Sequence, residues 1–168
     1  MIYLRKLTID DFDYLNSVEN NMSYRKYSFQ SQYYSKDELI QFIFDSQLPI
    51  EQTNQIRFVI CKSKSNEQIG FIDLFDIDFV KSNAGISILI SNSANRSKGY
   101  GKLSLKRIIN YAKKDLKIKN LYCNVLDDNL SSINCFKSVD FREISKNSKS
   151  YVSSTVNNHE SIIQMQCT

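Results

Sequence analysis

Apolar residues recur along the chain with two periods, and their alternation orders the elements. Ile2-Tyr3-Leu4 and Leu7 open as a strand. Thr8-x-x-Asp11 resembles a capping box, after which Ile9, Phe12, Leu15 and Val18 recur at helical spacing to about Asn20. The stretch from Asn21 to Tyr34 has no clear period and is rich in Tyr, Ser and Gln; it reads as a loop long enough to be functional. Ser35-x-x-Glu38 is a full capping box for a second helix, with Leu39, Ile40, Ile43, Phe44 and Leu48 as its apolar stripe and Pro49 beyond its end.

Arg57 to Cys61 and Gln68 to Asp76 then read as the two strands of a hairpin turning at 63–67, with Gly70 marking a bulge or a close approach. A polar connection from Asp76 to Asn83 leads to an apolar run, Ala84 to Ser91, without alternation, which implies a strand buried on both faces. After Gly99 a helix carries Leu103, Leu105, Ile108, Ile109 and Ala112 inward and Lys102, Lys106, Lys113 and Lys114 outward. Leu121 to Leu126 is again a buried strand, so residues 86–126 form a strand-helix-strand unit with parallel strands. Asn129 or Asp128 caps a last helix bearing Ile133 and Phe136. Phe141 to Ile144 and Ser161 to Met165 read as final strands, with the polar stretch Asn147 to Glu160 an exposed hairpin loop between them. These elements predict one α+β domain over residues 1–168: a mixed, mostly antiparallel sheet of six or seven strands with helices on both faces.

Composition narrows the class. With 168 residues, 42% of them apolar and 24% charged, the chain is that of an ordinary globular domain. No apolar run approaches the roughly 20 residues of a membrane span, and the charges of Arg5 and Lys6 follow the first apolar residues, unlike a secretory leader; no membrane partner is expected. Cys61, Cys123, Cys135 and Cys167 stand singly, three of them in apolar contexts, and His159 is the only histidine, in a polar stretch that suggests exposure. A zinc site is not expected, and a reducing, cytoplasmic setting is.

Charge is uneven. Residues 96–119 hold nine basic residues against one aspartate, whereas residues 8–51 hold eight acidic residues against three basic ones. The basic stretch fits a polyphosphate ligand at its start and solvated lysines along a helix; nucleic acid is the less favoured reading, because the stretch is amphipathic and has few aromatics nearby. The acidic third is compatible with a cationic substrate or with a solvated face.

The basic stretch begins with Asn95-Arg96-Ser97-Lys98-Gly99-Tyr100-Gly101-Lys102, between a strand and a helix. Backbone N–H groups at a helix start, glycine and basic side chains together suit a phosphate. A Walker A loop is excluded, since Arg96 stands where its first glycine belongs and Leu103 where its Ser or Thr belongs; Ser104 excludes a dinucleotide fingerprint. Arg96-x-x-Gly99-x-Gly101 resembles the R/Q-x-x-G-x-G/A pyrophosphate loop of the GNAT N-acetyltransferase superfamily. Downstream, Asn129, Ser132 and Phe141 match in place the family's N-x-x-A-x-x-x-Y-x-x-x-G-F, with Phe136 where Tyr is usual and Asp140 where Gly is.

The resemblance implies acetyl-CoA as co-substrate, no metal, and a central parallel pair of strands that splays where the cofactor enters. It places the cofactor against Ile88, Leu89 and Ile90, the loop residues Arg96, Ser97, Lys98, Gly99, Tyr100, Gly101 and Lys102, and the last motif's Asn129 and Phe136. It also implies transfer of acetyl to an amine. Only roughly one alkyl amine in a thousand is neutral at pH 7, so a proton must be removed, an oxyanion stabilised and a thiolate released. Phe136 cannot donate the proton that the usual Tyr gives, and Gly85 or a neighbour stands where many relatives carry Glu. No general base can be assigned; Asp73, Asp76 and Asp78 are weak candidates against a reading as solvated turn acids, and Tyr100 or Tyr122 is a candidate substitute for the proton donor.

The segment after the first helix and Ile72-Asp-Leu-Phe-Asp-Ile-Asp78 look like the subgroup of polyamine and ribosomal-protein N-terminal acetyltransferases, and Asn20-Asn21-Met22-Ser23-Tyr24 is similar to the polyamine enzymes. The expected acceptor is a primary amine, either a polyamine such as spermidine or a protein N-terminus. The alternatives are an amino-sugar acceptor and a non-catalytic acetyl-CoA-binding module. Edge strands or the C-terminal hairpin would serve a homodimer.

Overall fold

A computed structural model describes residues 1–25, 33–153 and 156–168, with the side chains of Arg25 and of residues 147–160 left aside. Strand β1 (Ile2–Lys6) is followed by a 3-10 turn at Ile9–Asp11 and helix α1 (Phe12–Glu19). A short helical turn, α2 (Met22–Arg25), occupies the start of the segment expected to be loop throughout. The rest of that expectation, residues 26–32, falls outside the described residues. Helix α3 (Lys36–Asp45) begins at the capping box read from sequence: the Glu38 N–H donates to Ser35 Oγ at 3.2 Å, and the Ser35 N–H donates to Glu38 Oε2 at 2.7 Å. A further turn, α4 (Ile50–Thr53), starts directly after Pro49.

Strands β2 (Ile56–Lys62), β3 (Gln68–Asp78) and β4 (Asn83–Ile90) form an antiparallel meander. Helix α5 (Tyr100–Lys114) then carries the chain over to β5 (Asn120–Leu126), which is parallel to β4. Helix α6 (Leu130–Lys137) precedes a long hairpin, β6 (Arg142–Ser153) and β7 (Val156–Cys167). One sheet results, in the order β1-β2-β3-β4-β5-β7-β6. The hairpin corrects the reading of Asn147 to Glu160 as a loop: its backbone continues both strands, with Asn147 paired to Ile162 and Lys149 to Glu160. Polar composition concealed it, because the sequence there shows no apolar alternation of period two.

Two cores flank the sheet. Ile72, Leu74, Ile86, Leu105, Ile108, Leu121, Ile133, Phe136 and Met165 form the core on the α5/α6 face. Leu15, Val18, Leu39, Ile43, Val59 and Phe71 form a smaller one where α1 and α3 cover β2 and β3. Within the expected stripes, Ile9, Phe44, Leu48 and Leu103 are exposed instead: Ile9 lies in the 3-10 turn ahead of α1 and Leu48 beyond the end of α3, so neither sits on the buried face of its helix. Cys61, Cys123 and Cys167 are buried and Cys135 is half-buried, and none of the four is in a disulfide. Among the described residues no helix is long and apolar enough to cross a membrane.

Candidate active site

The parallel pair is bridged at only three positions, Asn83 to Asn120, Ala84 to Leu121 and Gly85 to Tyr122. Beyond Gly85, β4 pairs with β3 alone and β5 with β7 alone, so the two strands separate and a cleft opens between them. This leaves one edge of β4 from Ile86 to Ile90 without a strand neighbour, a backbone edge able to hydrogen-bond an extended ligand. Alternation along β4 sends Ile86, Ile88 and Ile90 to the α5/α6 core and leaves Ser87 and Leu89 on the α1/α3 face.

The basic loop closes the mouth of the cleft. Asn92 Oδ1 accepts from the Ala94 N–H at 2.8 Å, starting a 3-10 turn over Ser93–Asn95, and the buried Asn95 donates its amide to Glu67 Oε1 at 3.3 Å. Arg96 donates Nε–H to the Ile90 carbonyl at 3.1 Å, pinning the loop to the end of β4, and its guanidinium lies 5.6 Å from the Tyr24 ring centroid. Ser97 and Gly99 both adopt left-handed backbone, with φ of 57° and 79°. The first intrahelical bond of α5 runs from the Leu103 N–H to the Gly99 carbonyl, so the N–H groups of Tyr100, Gly101 and Lys102 lie ahead of the ladder. With Arg96, Lys98 and Lys102 exposed around them, these groups fit a pyrophosphate: a Cβ at Gly99 would meet nothing within 4 Å, so the turn faces open space.

The second glycine has a different task. A Cβ on Gly101 would stand 3.0 Å from Cys135 Sγ, so Gly101 lets α5 approach α6. Gly70 meets both of its readings: a Cβ there would lie 2.0 Å from the Leu89 carbonyl oxygen, and the β2–β3 register shifts beside it, from Ile60 opposite Gly70 to Cys61 opposite Gln68. Asn129 caps α6, its Oδ1 accepting from the Ser132 N–H at 3.2 Å. Phe136 is 2% exposed and stacks edge-on against Phe141, with ring centroids 5.0 Å apart, so it belongs to the core beneath the cleft. Tyr100 opens α5 half-buried, its ring 6.0 Å from Lys62 Nζ.

The carboxylates expected as solvated turn acids are engaged. Asp73 binds Arg57 through two bonds, Nε to Oδ1 at 2.8 Å and NH2 to Oδ2 at 2.9 Å, and accepts from Ser87 Oγ at 3.0 Å. Arg57 also pairs with Glu19 and lies between the Phe42 and Phe71 rings. Burial opposes its charge, but Asp73 and Glu19 outweigh that and raise its pKa. Asp78 accepts from the Lys81 N–H at 2.8 Å and is a turn acid. Asp76 sits in a bulge, where the β3–β4 register jumps from Phe75 opposite Gly85 to Asp78 opposite Asn83, and its φ is 48°. The bulge brings its carboxylate to the Tyr122 hydroxyl, which donates at 3.2 Å. Burial and the Asp76 charge push the Tyr122 phenol up to about 12.

Sequence reasoning missed Ser87, Arg57 and a cleft of about 510 Å³ beside the loop, lined by Tyr14, Asn21, Tyr24, Ser91 and Arg96. Within it Tyr14 Oη and Ser91 Oγ share a 2.8 Å hydrogen bond. The only usable signal was the interruption of an apolar strand by Ser87. His159 lies on β7, its side chain outside the described ones. Among the described residues no group of three or more His, Cys, Asp or Glu could hold a metal ion.

Comparison with known proteins agrees with this geometry. The model of the Acetyltransferase (GNAT) domain matches residues 2–142. The spermidine N(1)-acetyltransferase of Vibrio cholerae serotype O1 is 25% identical over 140 residues, covering 83% of this chain and 78% of that one. The crystal structure of spermidine N-acetyltransferase from Vibrio cholerae in complex with CoA and spermine superposes with a TM-score of 0.87 at 21% identity, over 99% of this chain and 94% of that one. A dodecameric structure of the Vibrio cholerae enzyme in an intermediate state superposes with a TM-score of 0.78 at 21% identity, over 99% and 92%. A splayed parallel pair, a glycine-containing basic loop at its mouth and a family match over most of the chain lead to one conclusion: the chain belongs to the GNAT acetyltransferase family and is an acetyl-CoA-dependent N-acetyltransferase.

Proposed function

We propose that the chain transfers acetyl from acetyl-CoA to a small polycationic amine such as spermidine. The observation that carries this reading is the character of the cleft on the α1/α3 face. Where β4 and β5 part, the carboxylates of Asp73 and Asp76 hold the hydroxyls of Ser87 and Tyr122, whereas Arg96, Lys98 and Lys102 gather at the loop. Such a separation places an anionic cofactor and a cationic acceptor at opposite ends of one cleft. The similarity to spermidine acetyltransferases supports the same acceptor.

In this reading Gly99, the first turn of α5 and Arg96, Lys98 and Lys102 hold the pyrophosphate, and the free edge of β4 over Ile88, Leu89 and Ile90 holds the pantetheine chain. The co-substrate supplies the acetyl group as a thioester. Tyr122 stands opposite Gly85 in the last bridge before β4 and β5 part, and we assign its hydroxyl, in place of Phe136, to the proton needed by the leaving thiolate. The reading includes a single catalytic domain, a cytoplasmic setting in keeping with the unpaired cysteines, and self-association through the edges β1 or β6.

The test is thiol release from acetyl-CoA with a panel of acceptors: spermidine, spermine, a monoamine, a peptide with a free N-terminus and an amino-sugar nucleotide. The polyamines should give the highest kcat/KM; equal rates on the monoamine or the peptide would overturn the assignment.

A further inference from the structure

Across β2, β3 and β4, Arg57, Asp73 and Ser87 stand in register, Arg57 opposite Asp73 and Asp73 opposite Ser87. All three side chains lie on the α1/α3 face and are joined by hydrogen bonds of 2.8, 2.9 and 3.0 Å. At its inner end the row is anchored by Glu19 of α1 and by the Phe42 ring, 4.9 Å from the guanidinium. At its outer end it finishes on Ser87, which is exposed and two residues past the last bridge between β4 and β5.

The row has a direction set by charge. Two carboxylates, Glu19 and Asp73, face one guanidinium, so the group carries a net negative charge. Glu19 comes from α1, whereas Asp73 lies on β3 beside Ser87, the β4 residue just past the point where the strands part. The Ser87 hydroxyl uses its proton on Asp73, which leaves its lone pairs as acceptors toward the cleft. A hydroxyl that donates to a carboxylate is a better acceptor than a free one, because the two bonds polarise each other.

The floor beyond Ser87 is polar, and the Asp76 carboxylate accepts from the Tyr122 hydroxyl there. On β5 and β7 the same face carries Tyr122 and Asn124, paired in register with Gln166 and Gln164, and Asn124 is exposed. The opposite face of these strands holds Cys123, Val125, Ile163 and Met165, all buried. An acceptor can therefore approach β4 from the α1/α3 face, while the α5/α6 face is filled by core.

We propose that Ser87, polarised by Asp73 and held by Arg57, is a specificity-determining contact that binds an alkylammonium group of the acceptor beside the point where the strands part. This rests on the reading of the cleft as the acetyl-transfer site and deepens it. The contact recognises positive charge and does not remove the proton: Asp73 already accepts from both Arg57 and Ser87. It selects acceptors that carry a cation close to the reacting nitrogen, and it disfavours anionic amines such as sugar phosphates.

Calorimetry of spermidine binding to the CoA-saturated protein, together with steady-state kinetics, tests this on the wild type, Ser87→Ala, Asp73→Asn and Ser87→Asp. Loss of one charge-assisted hydrogen bond predicts that Ser87→Ala weakens spermidine binding and raises its KM about 10-fold, with acetyl-CoA affinity and kcat within about 3-fold of the wild type. Asp73→Asn should act in the same direction. Ser87→Asp should tighten spermidine binding. Ser87 is exposed, so its variants fold even if Asp73→Asn disturbs Arg57. Unchanged spermidine affinity in both Ser87 variants would overturn the inference, as would a wild type that acetylates only anionic or neutral acceptors. A wild type that binds spermidine through Ser87 yet acetylates nothing would keep the contact and refute the catalytic reading.

Discussion

The ring of Phe75 lies where a side chain at Gly85 would begin: a Cβ built on Gly85 would stand 2.4 Å from two of its atoms. The two residues are opposite each other in the β3–β4 register, and Phe75 in turn packs edge-on against Tyr122, with centroids 5.8 Å apart. The absence of a glutamate at this point of β4 is thus built into the packing: an aromatic pair occupies its place at the apex of the cleft. A carboxylate cannot be returned there by one substitution. Gly85→Glu should cost about 3 kcal/mol or more in stability, from overpacking and a poorly solvated charge. Denaturant midpoints of Gly85→Glu and of Gly85→Glu with Phe75→Ala check this; the double variant should recover part of the loss, and simple additivity would contradict the account.

Gly99 and Gly101 should respond differently to small side chains. At Gly99 the space is open but φ is 79°, so Gly99→Ala should cost about 1–2 kcal/mol from left-handed backbone alone and leave acetyl-CoA binding intact. Gly99→Glu adds a negative charge beside the first turn of α5 and should lose acetyl-CoA binding by about 100-fold or more. Titration calorimetry on the two variants separates backbone strain from charge.

At Gly101 the backbone is helical and the limit is Cys135, 3.0 Å from a built Cβ. Gly101→Ala gains up to about 1 kcal/mol of helix propensity against a contact that must yield slightly, so it should be close to neutral. Gly101→Val should destabilise by about 2 kcal/mol, and Cys135→Ala should restore much of that. Thermal or chemical unfolding of the single and double variants measures the coupling.

Tyr122 predicts a pH dependence. Its phenol is raised from the ordinary 10.0 to about 12 by burial and by Asp76. The fold therefore binds this proton more tightly than the unfolded chain does. The stabilisation is fully present below pH 10.0 and is lost as pH rises through 10.0 toward about 12. Burial also raises the phenols of Tyr14, to about 12, and of Tyr111, so phenolate absorbance against pH should show several late-titrating tyrosines, of which Tyr122→Phe removes one and Asp76→Asn shifts one downward. If Tyr122 protonates the thiolate, Tyr122→Phe should lower kcat by about 10²-fold or more with acetyl-CoA affinity unchanged.

How far the sequence could be read follows the range of the interactions involved. The Ser35–Glu38 capping box spans three residues and was recognisable as written. Asn129, one of two candidates to cap α6, forms its cap within the same short span. The strand-loop-helix at 86–114 announced itself because a doubly buried strand leaves an apolar run and a left-handed turn wants glycine. By contrast, the hairpin over Asn147 to Glu160 is held by pairing between distant polar residues and has no local period. Asp73 read as a turn acid because its partners, Arg57 and Ser87, are 16 and 14 residues away.

The sequence by itself determined the order of the elements, the parallel crossover and the basic glycine loop, since each depends on local backbone preference or on the period of apolar residues. Only the tertiary structure decided that β4 and β5 part at Gly85, that β7 enters the sheet between β5 and β6, and that Gly101 serves packing while Gly99 faces the loop's open side. Tertiary contact also settled the place of Phe75 against Gly85 and of Tyr122 against Asp76. The physical reason is the same in each case: strand pairing, helix approach and side-chain registry join residues far apart in the chain, and no local propensity records which of them will meet.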